Sequence, residues 1–189
     1  MPARDHLCVL MMPDYRSDNP YQTLLADALE DQGVDVTFPV GYRRVLPITR
    51  ALKDTGCNVL HLHWPTPYVK SEALSKRAAY AAKLLLDLSL VRLRGVHIVW
   101  TVHNVQPHKS QYPALERYMR VGIAQVAHKL IVHDPDTRNK VAREYRVARS
   151  KVEVIPHGHY RGHYGEPPSQ PEARRMLKLP EEGRFFLHL

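Results

Sequence analysis

Short apolar runs, separated by longer stretches of mixed polarity, recur along this chain. Five such runs stand at residues 7–12, 59–64, 96–102, 129–132 and 152–155, while residues 34–38, Val-Asp-Val-Thr-Phe, alternate as a short second strand. An apolar run of that length, bounded by turn residues, reads as a strand covered on both faces. The intervening segments carry apolar residues at helical spacing instead. Residues 21–32 place Leu24, Leu25, Ala28 and Leu29 on one side of a helix. Asn19 is its expected N-cap, with Pro20 at the first helical position, Gln22 set to close a capping box and Gly33 as the stop. Residues 48–53 predict a short helix ending near Gly56, and residues 71–94 a long one capped by Ser71 and stopped at Gly95. Another helix is expected over 114–127, and Asp134 with Pro135 opens one that runs to Tyr145. Strand alternating with helix in this way predicts an α/β fold, a doubly wound and mostly parallel Rossmann-like sheet with right-handed crossovers.

Residues 161–171 change character, with Gly162, Gly165, Pro167, Pro168 and Pro171 in quick succession. That is linker composition. A short helix over 172–179 and a new apolar strand over 184–189 come next. The expected organisation is one Rossmann-like domain over residues 1–165, and a linker with the start of a second domain over 166–189.

Composition fits a globular chain that can build a core: 44% hydrophobic and 24% charged residues in 189. The formal net charge of +8 adds an expectation of an anionic partner. Cys8 and Cys57 each lie in or beside an apolar run, and two reduced, buried thiols are expected. The apolar run at 7–12 is too short for a signal-peptide core, and no window reaches the ~18 apolar residues of a membrane span. The expectation from these features is a cytoplasmic chain, touching a membrane from that side if at all. No helix-turn-helix, RNP or zinc signature is present, so nucleic acid is not an expected partner. No Gly-x-Gly-x-x-Gly follows the first strand, which sets a dinucleotide enzyme low.

Chemistry concentrates where the strands end. In an open parallel sheet, ligands bind outside the carboxyl ends of the strands. There the first strand delivers residues 13–19, ending in Asn19, and the third delivers His63 and Trp64. The fourth delivers His103 and Asn104, the fifth His133 and Asp134, and the sixth His157, Gly158, His159 and Tyr160. His103 leads this group. It stands just past the apolar run at 96–102, and imidazole can donate or accept a hydrogen bond near neutral pH. Pro107 closes the segment four residues later. Asn104 either meets a ligand or starts the turn, and Trp64 either offers a sugar ring a platform or packs in the core. His61 and His63 share a strand face but lack a Cys or carboxylate partner at zinc-like spacing, so one packed and one cleft-edge histidine are expected. No metal is expected there, nor at His157, His159 and His163. The segment 71–94 sets Lys76, Arg77, Lys83, Arg92 and Arg94 among Ala- and Leu-rich turns. It is either a core-facing helix with a solvated basic face or a helix lying on an anionic bilayer surface.

With these residues in view, the chain resembles the N-terminal half of a GT-B glycosyltransferase, close to the family 4-like group. The resemblance rests on Asn-Pro-Tyr at 19–21, Val-Leu-His-Leu-His-Trp at 59–64 and Trp-Thr-Val-His-Asn at 100–104. It continues through Leu-Ile-Val-His-Asp at 130–134, Val-Ile-Pro-His-Gly at 154–158, Ala-Arg-Arg-Met-Leu-Lys-Leu-Pro at 173–180 and Phe-Phe-Leu-His-Leu at 185–189. It implies an acceptor-binding domain of an enzyme that moves a sugar from a nucleotide-sugar donor to a glycan or lipid-linked acceptor. The nucleotide-sugar is then a co-substrate, and no cofactor or metal is implied. His103 matches the family's cleft histidine. Asn19, Tyr21, His63, Trp64, Asn104, His133, His157 and Gly158 are the expected binding residues. Where His157 stands, Asn is usual, and the first loop lacks the Gly-Gly pair of many relatives. The resemblance also implies that the nucleotide-sugar domain is almost entirely missing from these 189 residues and acts in cis or in trans. The competing reading is a stand-alone Rossmann-like binding module whose basic surface holds anionic lipid or nucleic acid.

Overall fold

The computed structural model describes residues 6–39, 41, 45–105 and 111–186. Six parallel strands form one sheet: β1 (Cys8–Met12), β2 (Asp35–Thr37), β3 (Val59–Leu62), β4 (His97–Thr101), β5 (Lys129–Val132) and β6 (Val152–Val154). Their spatial order is β2-β1-β3-β4-β5-β6, so the chain turns back on itself between β1 and β3. Among the described residues, five α-helices accompany the sheet: α1 (Tyr21–Glu30), α2 (Pro47–Thr55), α3 (Leu74–Leu93), α4 (Pro113–Val126) and α5 (Pro135–Glu144). The expected α/β class and parallel sheet are both present. Alternation along β1 divides the core between the two sheet faces. Val9 and Met11 pack with Ala26 of α1, whereas Leu10 and Met12 join the larger cluster that includes Leu52, Leu88, Trp100, Ile123 and Val141.

Where local signals and tertiary contacts agree, the helix ends fall near the expected residues. Asp134 accepts from the Thr137 N–H at 2.8 Å, and Pro135 opens α5. Gly56 and Gly95 terminate their helices at φ values of 71° and 78°, a region that side-chain-bearing residues seldom adopt.

Four expectations are corrected. Gln22 does not close a capping box. Its side chain is buried against the first loop, accepting from the Tyr15 N–H at 2.7 Å and donating to the Pro13 carbonyl at 2.9 Å. Ser71 does not cap α3, which starts at Leu74; the Ser71 carbonyl instead accepts from Arg77 Nε at 2.9 Å. Arg77 is therefore not part of a free basic face, because its guanidinium is turned inward and pairs with Glu116 of α4 at 3.0 Å. Finally, Cys8 and Cys57 are joined as a disulfide rather than reduced. The register that pairs Val9 with Val59 across β1 and β3 brings their Cα atoms to 4.6 Å, a juxtaposition created only by the sheet.

The chain divides into two compact units, Met1–His157 and Gly158–Leu189. In the second unit a short helix α6 (Gln170–Met176) begins with a capping box between Ser169 and Glu172. Arg174 ties the segment beyond it, donating to the carbonyls of Pro180 and Gly183. The strand expected over 184–189 does not form at 184–186, and its remaining residues lie outside those described.

Among the described residues, the least exposed charged side chain caps a helix from a distance. Leu46, which precedes α2, carries no side-chain acceptor. Asp87 on α3, fully buried, fills that role by accepting from the N–H groups of Ile48 at 2.9 Å and Thr49 at 3.0 Å. Substituting Asp87→Ala strands both donors, and should lower stability by about 3 kcal/mol. Asp87→Asn, which keeps one acceptor, should lose less. Urea unfolding midpoints of the two variants check this, and equal losses would contradict it.

Candidate functional site

The reversal of strand order between β1 and β3 is where an open parallel sheet leaves a crevice at its carboxyl edge. The loop leaving β1 is shaped there by polar side chains. Gln22 holds it at both Pro13 and Tyr15, while Arg16 grips Asp14 through Nε at 3.0 Å and Nη2 at 2.9 Å and lies 3.7 Å over the Phe38 ring. That pairing keeps the Asp14 carboxyl below its ordinary range. Tyr15 then meets the edge of the Trp64 ring at 5.3 Å.

Beyond β3, His63 and Trp64 diverge. Trp64 stays partly exposed and stacks flat on His103, with centroids 4.0 Å apart and planes 13° apart. His63 is fully buried; the expected cleft-edge histidine is instead enclosed, with His61 tilted over it at 4.2 Å. The enclosure follows from the sheet register. The β1–β3 ladder continues through the His63 N–H to the Met12 carbonyl at 2.8 Å, and the Trp100 indole N–H donates to the His63 carbonyl at 3.1 Å. His61 in turn lies 2.8 Å from the Thr101 hydroxyl through Nε2.

His103 sits between these layers. Its Nε2 is 3.3 Å from Nδ1 of His63. Burial, followed by the fields of His133, His157 and His61, pushes its pKa down to about 3. The imidazole is therefore neutral at physiological pH. His63, Trp64, His103, Asn104 and Arg120 contribute to the lining of a recess of about 190 Å³ at this point.

Tyr21, the first residue of α1, gathers the remaining rings. It lies 5.0 Å from His103, 5.0 Å from His157, 6.1 Å from His133 and 6.1 Å from Trp64. Asn19 orients it, the Asn19 side-chain oxygen accepting from the Tyr21 N–H at 2.8 Å. His133 is tethered through Nδ1 to the Ile155 carbonyl at 3.0 Å, so that nitrogen carries the proton. The structure thus brings Asn19, Tyr21, His63, Trp64, His103, Asn104, His133 and His157 to one edge of the first unit, while Gly158 opens the second unit. Among the described residues, no group of three His, Cys, Asp or Glu side chains converges on a metal-binding geometry.

Three supporting residues escape a reading of strand ends. Gln22 is one. Arg120, only 7% exposed, donates from Nη1 to the Asn104 carbonyl at 2.8 Å. Tyr145, 1% exposed, donates to the Val105 carbonyl at 2.8 Å and stacks on Trp100 with planes 7° apart. Together the last two fasten the backbone just after His103. A signal for Arg120 does exist in the sequence, since it interrupts the apolar stripe Met119, Ile123, Ala124 on α4.

A family model, Glycosyltransferase Family 4, matches residues 1–159. The chain belongs to that family. The chain is also similar to two proteins from Xanthomonas campestris pv. campestris named GDP-mannose:glycolipid 4-beta-D-mannosyltransferase. Each is 30% identical over 143 residues, covering 76% of this chain and 36% of the relative. The chain thus matches about a third of the length of these curated relatives. A crystal structure of a glycosyltransferase from Rickettsia africae ESF-5 aligns with a TM-score of 0.46 at 11% identity, over 94% of this family 4 chain and 51% of that one.

The buried histidines give the family 4 domain a defined acid limit. Desolvation lowers His61 to about 4 and His63 well below its ordinary value. An unfolded histidine titrates near 6.5. Below that pH the unfolded chain takes up protons that the folded one refuses, so this stability is present above pH ~6.5 and lost as pH falls toward 4. Each such histidine should remove about 1.4 kcal/mol per pH unit across the window. Urea midpoints measured from pH 7.5 down to 4.5 should fall accordingly, and His61→Asn should make the decline shallower.

Proposed function

We propose that this chain is the acceptor-side domain of a glycosyltransferase that moves a hexosyl group from a nucleotide-sugar donor to a glycan or lipid-linked acceptor. The observation that carries the reading is the ring cluster at the switch point of a family 4 domain, in which Tyr21, Trp64 and a neutral His103 share one edge. Sugars present apolar ring faces and divergent hydroxyls. Aromatic faces complement the former, and a neutral imidazole can donate to or accept from the latter without the desolvation penalty of a charge. The partly exposed Trp64 supplies the platform, Asn104 stands at the outer wall, and His133 and His157 extend the polar edge. The donor's nucleotide is assigned to a second domain, in cis or in trans, and the reaction draws on no cofactor or metal.

The named Xanthomonas relatives use GDP-mannose and a glycolipid, which makes that pair the first to test. In a protein that joins this domain to its nucleotide-binding partner, His103→Ala should lower kcat/KM for transfer by about 100-fold, comparable to losing one oriented hydrogen-bond donor. The 189-residue chain alone should bind the acceptor, bind nucleotide-sugar weakly and turn over little of it. Robust transfer by the purified chain would overturn this division of labour.

The same reading places the domain at the cytosolic face of a membrane, where polysaccharide precursors carry lipid anchors. Leu86 and Leu93, seven residues apart on α3, are 55% and 83% exposed; Lys76 and Lys83 lie on the same helix and Arg94 just after it. Among the described residues no helix is long and apolar enough to cross a bilayer. Phosphatidylglycerol vesicles should bind the chain at low salt, phosphatidylcholine vesicles and duplex DNA should not, and raising salt should release it. Replacing Lys76, Lys83 and Arg94 together with Ala should weaken vesicle binding, each charge being worth about 1 kcal/mol. Unchanged vesicle sedimentation by that triple variant would remove α3 as the contact.

A further inference from the structure

We infer that His63 is a positioning residue that locks His103 in the Nδ1–H tautomer, so that His103 meets its ligand as a hydrogen-bond donor and not as a base. The inference deepens the proposed function and rests on it only for the identity of the ligand; the tautomer itself comes from geometry.

His63 Nδ1 and His103 Nε2 face each other at 3.3 Å. When two neutral imidazoles meet in this way, one nitrogen holds the proton and the other offers its lone pair. Two arrangements satisfy the contact. If His103 donates, then His63 accepts at Nδ1 and must carry its own proton on Nε2. That nitrogen is buried and has no hydrogen-bond partner among the described residues, so an N–H would be orphaned in the interior. If His63 donates, Nε2 is left with only an unused lone pair. An orphaned buried N–H is the rarer and costlier defect. The contact therefore runs from His63 Nδ1–H to His103 Nε2. Depression of both histidines by burial supports the neutral forms that this argument assumes.

The consequence for His103 is direct. With Nε2 accepting from His63, its single proton sits on Nδ1, at the ring edge away from that contact. Among the described residues Nδ1 has no hydrogen-bond partner, and the ring is partly exposed. Trp64 fixes the ring plane from one face at 4.0 Å, and Tyr21 presents an edge contact at 5.0 Å, so the N–H direction is fixed as well. A donor held this way suits a hydroxyl, ring or ester oxygen of a bound sugar. It has no lone pair at Nδ1 with which to take a proton, and the one at Nε2 is already engaged. His63 is itself held, its carbonyl by the Trp100 indole and its ring by His61.

The test reads the tautomer rather than turnover. In the full chain labelled with 15N-histidine at pH 7.5, long-range 1H–15N correlation distinguishes protonated from unprotonated ring nitrogens, and the His103→Gln and His63→Asn spectra assign the signals. Wild type should show both rings in the Nδ1–H form. His63→Leu, which removes the donor, should cost His103 its single-tautomer pattern. His63→Asn sets an amide N–H close to the lost Nδ1–H and should restore it, which also separates tautomer control from a packing role if the Leu variant does not fold. A wild-type His103 carrying its proton on Nε2 would overturn the inference, as would an unchanged His103 pattern in folded His63→Leu. Failure of the chain to bind any acceptor would instead count against the proposed function and leave the tautomer result standing.

Discussion

The polar edge of this domain depends on the parallel register of β1, β3 and β4. Pairing Met12 with Leu62 and Leu62 with Trp100 sets the three strands to end at one level. The residues just past those ends then emerge together: the first loop, the His63–Trp64 pair and His103. Shifting one strand by a single residue would reverse its inward and outward faces. Trp64 would lose its stacking partner, and His63 would leave the enclosure where Trp100 holds its backbone. The aromatic cluster is thus a property of the sheet before it is a property of any residue in it.

Period and punctuation made the sheet legible. Five apolar runs and one alternating segment became six strands, and the Asp134-Pro135 and Gly95 signals act at the helix ends where they stand. The strand-end rule also anticipated a convergence, since Trp64, His103, His133 and His157 do meet at one edge, around Tyr21, which the rule did not name. What stayed hidden depends on contacts between segments far apart in the chain. Gln22 carries the local signature of a capping residue, but the loop from β1 offers it two backbone groups, and those win. Cys8 and Cys57 stand 49 residues apart and meet only because β1 and β3 are neighbours. His63 reads as an edge residue until the Trp100 side chain is seen to bind its carbonyl.

Buried charge is the other source of surprise. Asp87 sits in a helix whose apolar content would have predicted a hydrophobic residue at a core position, and Arg120 does the same on α4. Neither is explained by its own element. Asp87 serves the start of α2, and Arg120 serves the backbone beside His103. Both spend charge on positioning main chain, which makes α2 and the loop after β4 fixed parts of the scaffold. The membrane-facing reading of α3 is sharpened by the same logic. Arg77 belongs to the α3–α4 contact, so that reading is carried by the basic residues that flank Leu86 and Leu93.

The grip of Gln22 on the first loop has a kinetic side. A loop built on glycine can sample new shapes by its own backbone rotations. This one cannot, because the Tyr15 amide and the Pro13 carbonyl are both committed to a side chain rooted in the first turn of α1. Opening it requires breaking two hydrogen bonds together or fraying the helix start. Tyr21, the neighbour of Gln22, is the ring around which the histidines gather. The loop is therefore held as firmly as the first turn of α1, and Tyr21 sits on that same turn beside the residue that fixes it.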